Sequence, residues 1–596
     1  VDPMRIAPLP NLYRHIRAGD SLAGGAFNDR SPIGSRKIVS LRRRYTRSVG
    51  PRKRTLARAL DRMERSAAVD VLTRKRIRLT AERKEILIAL RARDLFGDRH
   101  APGADARIRL DDVRSSLREI TIRVKALRSG AALPFSFAAH FSDVAAAGGF
   151  DVVVGNPPWV RVHRIAETSR DRLRRDFAVY RNAAWKNGAA IAGAGKGFGA
   201  QIDLAALFVE RSCELLRPGG TMALLLPTKL WRSLAGGGVR QLLFDRTNIV
   251  VLEDLTESHA GFAAAVYPSL LVARREADRS DDHMPAIAAA VRTHQGSAQW
   301  VCPRKLLPFD ETPGSPWVLI PPAARRAFDR VSRGAVPFFR SSFGRPMLGV
   351  KTGCNNAFIV RVESIDGDVA RVCGGGRVGF IERKMLRPLV RGETLEKWEL
   401  VGQREYLVWP QDQQGRALRT LAPHARSWLS PFHEALSARS DLHGRFFWWS
   451  VFRTESANHS SPRVVWADFG LSPRALVIEA REPLVALNSC YVVSCRTTSD
   501  AYALATILNS PLCAAWLNSL AEPARGGYRR YLGWTVSLLP IPANWDRACN
   551  LLAPLGERAM RGEIPTDAEI VSAVLDAYQL KPTDVQPLLF WTDPCD

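Results

Sequence analysis

The chain has 596 residues and a mass of 66.0 kDa, more than one core ordinarily holds, so two or three domains are expected. Hydrophobic residues make up 46% and charged residues 24%, a globular balance that excludes a largely disordered, collagenous or coiled-coil chain. Lysine and arginine number 86 against 59 acids, a net charge of +27, and that excess points to a polyanionic partner. No run of 18 apolar residues occurs, so no membrane span is expected. Residues 1–20 mix charges with prolines and read as no secretory leader. Nine cysteines without a Cys-x-x-Cys pair, and eleven scattered histidines, fit a reducing cytoplasm and no metal site.

In chain order, residues 16–20 read as a short strand ending in the turn Gly19-Asp20-Ser21. The most basic stretch follows: ten Lys/Arg and no acid lie between Arg36 and Leu60. Without acids for i,i+4 pairing, Arg42, Arg43 and Arg44 are expected to contact the polyanionic partner. Residues 58–91 and 106–127 read as helices. In the second, Leu110, Val113, Leu117, Ile120, Val124 and Leu127 form a narrow seam that wants a partner helix. Gly97, Pro102 and Gly103 separate the two, which gives a helical hairpin.

From Gly149 the pattern turns to alternating strands and helices. Residues 150–154, 221–226, 249–254 and 269–273 read as short buried strands, and 203–216 as a helix. This composition predicts a mostly parallel sheet. Residues 276–335 read as a linker, strands with many aromatics dominate after Phe338, and a helical tail follows Asn544.

The strand Phe-Asp-Val-Val-Val runs directly into Gly155-Asn156-Pro157-Pro158-Trp159. Ligand sites of open parallel sheets lie beyond the carboxyl ends of strands. Two successive prolines lock the turn and remove two amide donors, leaving carbonyl acceptors. Asn156 adds a side-chain acceptor. Rigid acceptors beside an aromatic plate suit a planar ring that carries an amino group. This turn resembles the Asn-Pro-Pro-aromatic motif of adenine-N6 DNA methyltransferases. GGFDVVVGNPPWVRV as a whole is similar to the form found in fused restriction-modification and BREX-type methylases. Asp203-Leu204, followed by LFVERSCELLRPGGTMALLLPTKLW, resembles the family's next helix and strand. Gly261-Phe262 and AVYPSLLVAR resemble the segment whose aromatic packs on the flipped base.

The resemblance implies that Asn156 and Pro157 accept hydrogen bonds from adenine N6, with Pro158 completing the turn. Trp159 and Phe262 stack on the extruded base. Pro10-Asn11-Leu12 and Gly19-Asp20-Ser21-Leu22 resemble the segment whose aspartate meets the cofactor adenine, so Asp20, with Asp203, is expected to bind S-adenosylmethionine. Lys351-Thr352-Gly353-Cys354-Asn355-Asn356-Ala357-Phe358 resembles the entry to a target-recognition domain, and Lys351, Thr352 and Gly353 are expected to touch DNA. Leu389-Val390-Arg391-Gly392, Leu508-Asn509-Ser510 and Leu539-Pro540-Ile541-Pro542 continue that likeness.

The implied fold class is α/β: a Rossmann-like class I methyltransferase sheet whose N-terminal strands are missing, with a helical insertion and a C-terminal mixed α/β target-recognition domain. The expected divisions are 1–35 partial core, 36–130 basic helical insertion, 131–275 catalytic core, 276–335 linker and 336–596 target-recognition domain. The implied activity is methyl transfer from S-adenosylmethionine to adenine N6 in double-stranded DNA, within restriction-modification or phage defence. The rival is a non-catalytic DNA-binding and target-recognition subunit or a truncated, inactive methylase. One departure stands out: the family's glycine-rich cofactor loop and ribose-binding acid have no counterpart before Asp20, so an N-terminal methyltransferase partner chain is expected. Gly193-Ala194-Gly195-Lys196-Gly197 lacks the spacing of a phosphate loop. Glu82-Arg83-Lys84 and Glu382-Arg383-Lys384 are expected by chance in so basic a chain, and no nuclease is implied.

Overall fold

The computed structural model describes residues 16–22, 35–91, 104–133, 135–192, 202–257, 267–276, 286–293, 296–442 and 447–592. The basic segment forms α1 (Ser35–Thr46) and α2 (Gly50–Arg91), which packs along α3 (Ala104–Arg128). At 42 residues, α2 is roughly 63 Å long at 1.5 Å per residue. The seam expected on α3 is buried at Leu110, Val113, Ile120, Val124 and Leu127, and α2 contributes Leu56, Leu60, Ala67, Ala68 and Val71. Glu82 pairs with Arg109 across the two helices, so its carboxylate braces the arm.

The first sheet has six strands in the order β1-β2-β4-β3-β5-β6. These are β1 (Phe150–Gly155), β2 (Leu216–Pro227), β3 (Thr247–Asp254), β4 (Pro268–Arg275), β5 (Ala286–Thr293) and β6 (Gly296–Pro303). The expectation of a mostly parallel sheet is corrected. Only β1/β2 and β3/β5 pair in parallel; β4 runs antiparallel to both β2 and β3, and β6 to β5. Alternating apolar strands bury a face equally well in either direction, so strand sense was not written in the hydrophobic pattern. Helices Leu204–Leu215 and Gly237–Arg246 pack against β1, β2 and β3. Leu22 joins the core beneath them, with Val162, Leu207, Met222 and Leu224.

Two further expectations change. Residues 276–335 are no linker. β5 and β6 extend the sheet, and helix Pro322–Ser332 packs into the carboxyl-terminal core, where Phe328 stacks on Trp516 at 4.6 Å. Charge and proline there mark strand ends and a helix start rather than an unpacked tether. β1, read as a buried strand, is an edge strand. It pairs only with β2 among the described residues, and Val152 and Val154 are 59% and 74% exposed.

After Phe338 a second six-stranded sheet runs in the order Arg377–Glu382, Val369–Gly374, Ile359–Asp366, Glu405–Val408, Leu386–Val390, Val485–Ala486. A four-stranded sheet centred on Arg463–Ala467 and Cys490–Ser494 packs on helix Thr498–Leu508. That helix starts with a capping box, Thr497 and Asp500 each bonding the other's backbone amide, a local stop-and-start signal. Helices Trp545–Met560, Asp567–Tyr578 and Pro582–Thr592 form the expected tail. No helix among the described residues is long and apolar enough to cross a membrane.

Candidate active site at the end of the first strand

The chain leaves β1 at Gly155, which pairs with Leu224 of β2, and enters the Asn156–Trp159 turn. Pro157 is buried and fixes the turn to the core, whereas Asn156 and Pro158 are exposed. Trp159 is half-buried against the core. Its indole N–H points at the Leu225 carbonyl of β2 at 3.4 Å, which holds the ring beside the strand end. A tryptophan packed on a core usually finds such a partner for its N–H.

Beyond Trp159 the backbone is zipped to the segment that starts the next helix. Val162 N donates to Ile202 O and Leu204 N to Val160 O, each at 2.9 Å, and Arg161 bridges Asp203. The turn is therefore clamped on one side by β2 and on the other by residues 202–204.

Asp203 sits at this junction, 2% exposed. Its Oδ1 accepts from Ala205 N at 3.1 Å, capping helix Leu204–Leu215, and Lys229 Nζ lies 2.8 Å from its Oδ2. The carboxylate expected to bind the cofactor thus caps a helix and pairs with Lys229. Asp20 is differently placed. Its Oδ1 accepts from Leu22 N at 2.9 Å, Arg172 lies 3.3 Å from Oδ2, and its side chain is 55% exposed. Asp20 can still meet a ligand. Phe262 and residues 193–197 lie outside the described residues, as does Pro10-Asn11-Leu12.

Sequence reasoning missed the basic residues packed beside this turn. Lys229 stands in the turn after β2, and Arg232 follows one helical turn on. Arg232 is 5% exposed, and its Nη1 lies 3.9 Å from Asp254 Oδ2. Burial brings its guanidinium down to about 10, with Asp254 opposing. Glu522 comes from the carboxyl-terminal region, on a strand that packs against helix Lys229–Arg232. Burial raises the Glu522 carboxyl, against the pull of Arg530, Lys229 and Arg161. The sequence does contain Pro-Thr-Lys directly after a strand, and a lysine at a strand's carboxyl end was the available signal. Its pairing across to Asp203 was not.

The DNA-facing candidates divide. Arg43 and Arg44 are exposed on α1. Arg42 is corrected: it is 4% exposed, pairs with Asp143 and Glu64, and donates to the His140 carbonyl. It roots the arm onto the core. Ile38, Arg42 and Tyr45 share one helical face, and both neighbours are buried, so spacing distinguished it from Arg43 and Arg44. Lys351, Thr352 and Gly353 line a cavity of about 390 Å³ with Cys354, Asn355, Asn356 and Asn488. Lys351 Nζ is 2.6 Å from Asp441 Oδ2. Thr352 is buried, its hydroxyl bonded to Asn355 Oδ1 at 2.6 Å. Gly353 has φ +68, and a Cβ there would meet the Arg439 side chain at 2.7 Å.

Comparison with known proteins bears on the segment that holds this turn. Residues 73–262 match the Eco57I restriction-modification methylase family. The chain is 24% identical over 434 residues to the type II methyltransferase M.PaeR7I of Pseudomonas aeruginosa, covering 70% of this chain and 69% of that protein. It is 22% identical over 449 residues to the type II methyltransferase M.XhoI of Xanthomonas vasicola, covering 72% and 74%. Among solved structures, the type IIL restriction-modification enzyme MmeI in complex with DNA is similar at a TM-score of 0.48 and 11% identity. That match covers 82% of this chain and 64% of the solved one. The Asn156–Trp159 turn falls inside the segment that matches the Eco57I restriction-modification methylase family.

Proposed function

We propose that the chain is the base-side and target-recognition part of an adenine-N6 DNA methyltransferase. The observation that carries this reading is the turn itself: an exposed Asn156 and a buried Pro157 at the carboxyl end of β1, with Trp159 tethered beside them. The lone pair of adenine N6 is delocalised into the ring and is a poor nucleophile. Hydrogen bonds from N6 to the Asn156 amide oxygen and the Pro157 carbonyl favour a tetrahedral nitrogen and localise that pair. Trp159 stacks on the base once it leaves the duplex, offsetting part of the few kcal/mol of unstacking. Lys229, Arg161 and the exposed arginines of α1 supply positive potential for the phosphates.

The methyl donor in this reading is S-adenosylmethionine, held by a strand-and-loop segment that pairs at the open edge of β1. Val152 and Val154 support this, because a bare apolar edge strand is a pairing site unless something covers it. The test is transfer of labelled methyl from S-adenosylmethionine to DNA, with N6-methyladenine identified after digestion, in the assembly that restores activity. Asn156→Ala should lower the rate of product formation roughly a hundredfold. Wild-type turnover in that variant, or methyl found on cytosine, would sink the reading.

A further inference from the structure

Phe469 and Tyr528 stack on each other at 5.0 Å and 18°, yet they are 43% and 39% exposed, and Leu471 beside them is 56% exposed. They stand on a three-stranded sheet of Phe469–Gly470, Arg529–Arg530 and Glu522–Pro523. Large exposed apolar side chains on a rigid scaffold mark a contact surface, and this scaffold is tied down from every side. Arg474 donates to the Phe469 carbonyl at 3.1 Å, and Arg530 to Asp468 at 2.7 Å. The Tyr531 hydroxyl lies 3.0 Å from the Leu471 carbonyl and 2.7 Å from Asn518 Oδ1.

The same hairpin is fastened to the methylase core. Gly526 and Gly527 have successive positive φ values of 71° and 75°, a conformation that turns consecutive N–H groups toward one anion. That anion is the Glu257 carboxylate, with Gly527 N at 3.1 Å and Gly526 N at 3.4 Å. Glu522 opens the hairpin in the electrostatic reach of Arg161 and Lys229, and Arg529 in that of Arg232. The ring pair is thus held in fixed relation to the catalytic turn, although it belongs to the carboxyl-terminal region.

We infer that Phe469 and Tyr528 form a second stacking platform, which takes an unstacked base of DNA beside the one delivered to Asn156. Each ring already uses one face on the other, so what remains to offer is an outer aromatic face and a ring edge. Flat bases stack on such faces irrespective of sequence, and neighbouring guanidiniums add phosphate and cation–π attraction. The inference rests on the proposed DNA reading and goes beyond it by naming where a second base is held.

The test uses the full chain and a short mixed-sequence duplex carrying iododeoxyuridine in place of thymidine. On irradiation, the cross-linked peptides should contain Tyr528 or Phe469. The double variant Phe469→Leu/Tyr528→Leu should lose those cross-links and bind the duplex roughly tenfold or more weakly, the equivalent of one lost base stack. Its dependence of binding on salt should keep the wild-type slope, since no phosphate contact is removed. Tyr528→Phe should bind as wild type. Full duplex affinity in the double variant, with cross-links elsewhere, overturns the platform, leaves the DNA reading intact and assigns the rings to a protein partner. Absence of duplex binding by the wild-type chain overturns both.

Discussion

β1 and β2 are neighbours in one sheet and equally apolar in sequence, yet they end in opposite circumstances. β2 lies between two strands and buries Met222, Leu224 and Leu226 at 2% exposure or less. β1 has a neighbour on one side among the described residues and leaves Val152 and Val154 largely bare. The strand that carries the Asn156–Trp159 turn is therefore the less covered one. Valine-rich runs belong to strands buried on both faces, so the bare face of β1 is composed for a cover that the described residues do not provide.

The contrast is sharpest in stability. Leu224→Ala should cost about 2–5 kcal/mol, the range for truncating a buried leucine, whereas Val154→Ala should stay within about 0.5 kcal/mol. Urea unfolding of both variants measures the difference, and equal losses would mean that β1 is covered in solution. Activity reverses the order. Asn156 is exposed, so Asn156→Ala should leave the melting temperature unchanged while removing about 3 kcal/mol of transition-state stabilisation, roughly a hundredfold in rate.

Lys229→Met leaves the buried Asp203 carboxylate without its cation and should cost about 1–3 kcal/mol. The same variant with Asp203→Asn should recover part of that loss, and a double-mutant cycle reads the coupling. Lysines at the open edge give a smaller stability effect still. Val152→Lys/Val154→Lys should change the unfolding free energy of this chain by less than about 0.5 kcal/mol. The pair should block strand addition and with it methyl transfer in the complete assembly. Retained activity would place the cofactor segment elsewhere.

The smallest effect concerns the root of the arm. Burial, with Arg17 and Arg42 nearby, lowers the His140 imidazole below its usual value, against Glu64 and the Ser136 backbone. A group that is neutral when folded and protonated when unfolded binds more protons in the unfolded state, so stability falls as pH drops below about 6.5. Thermal melts from about pH 8 to pH 5 should show that slope, and His140→Gln should flatten it. An unchanged slope would assign the acid sensitivity to other groups.

Much of the first half was legible. The seam on α3 could be read because its spacing repeats the helical period, and a buried seam needs only one partner surface. The Asn156–Trp159 turn could be read because two adjacent prolines after an apolar strand have few conformations. Strand direction, the role of residues 276–335 and the burial of Arg42 were harder. Alternation reports which residues face inward and nothing about strand sense. Proline and charge occur at element ends as well as in tethers. In Arg42-Arg43-Arg44, the inward member is marked only by its helical alignment with Ile38 and Tyr45.

By itself the sequence determined the local pieces: the arm helices, the rigid acceptor turn, the capped helices and a strongly basic charge. Each depends on residues close together in the chain, where backbone restriction and periodicity act directly. Tertiary structure alone decided that Lys229 meets Asp203, that Glu257 grips Gly526 and Gly527, and that Phe469 stacks on Tyr528. Those pairs join residues dozens to hundreds of positions apart. No local preference encodes them; they exist because packing the sheets against their helices brings distant chain segments within bonding distance.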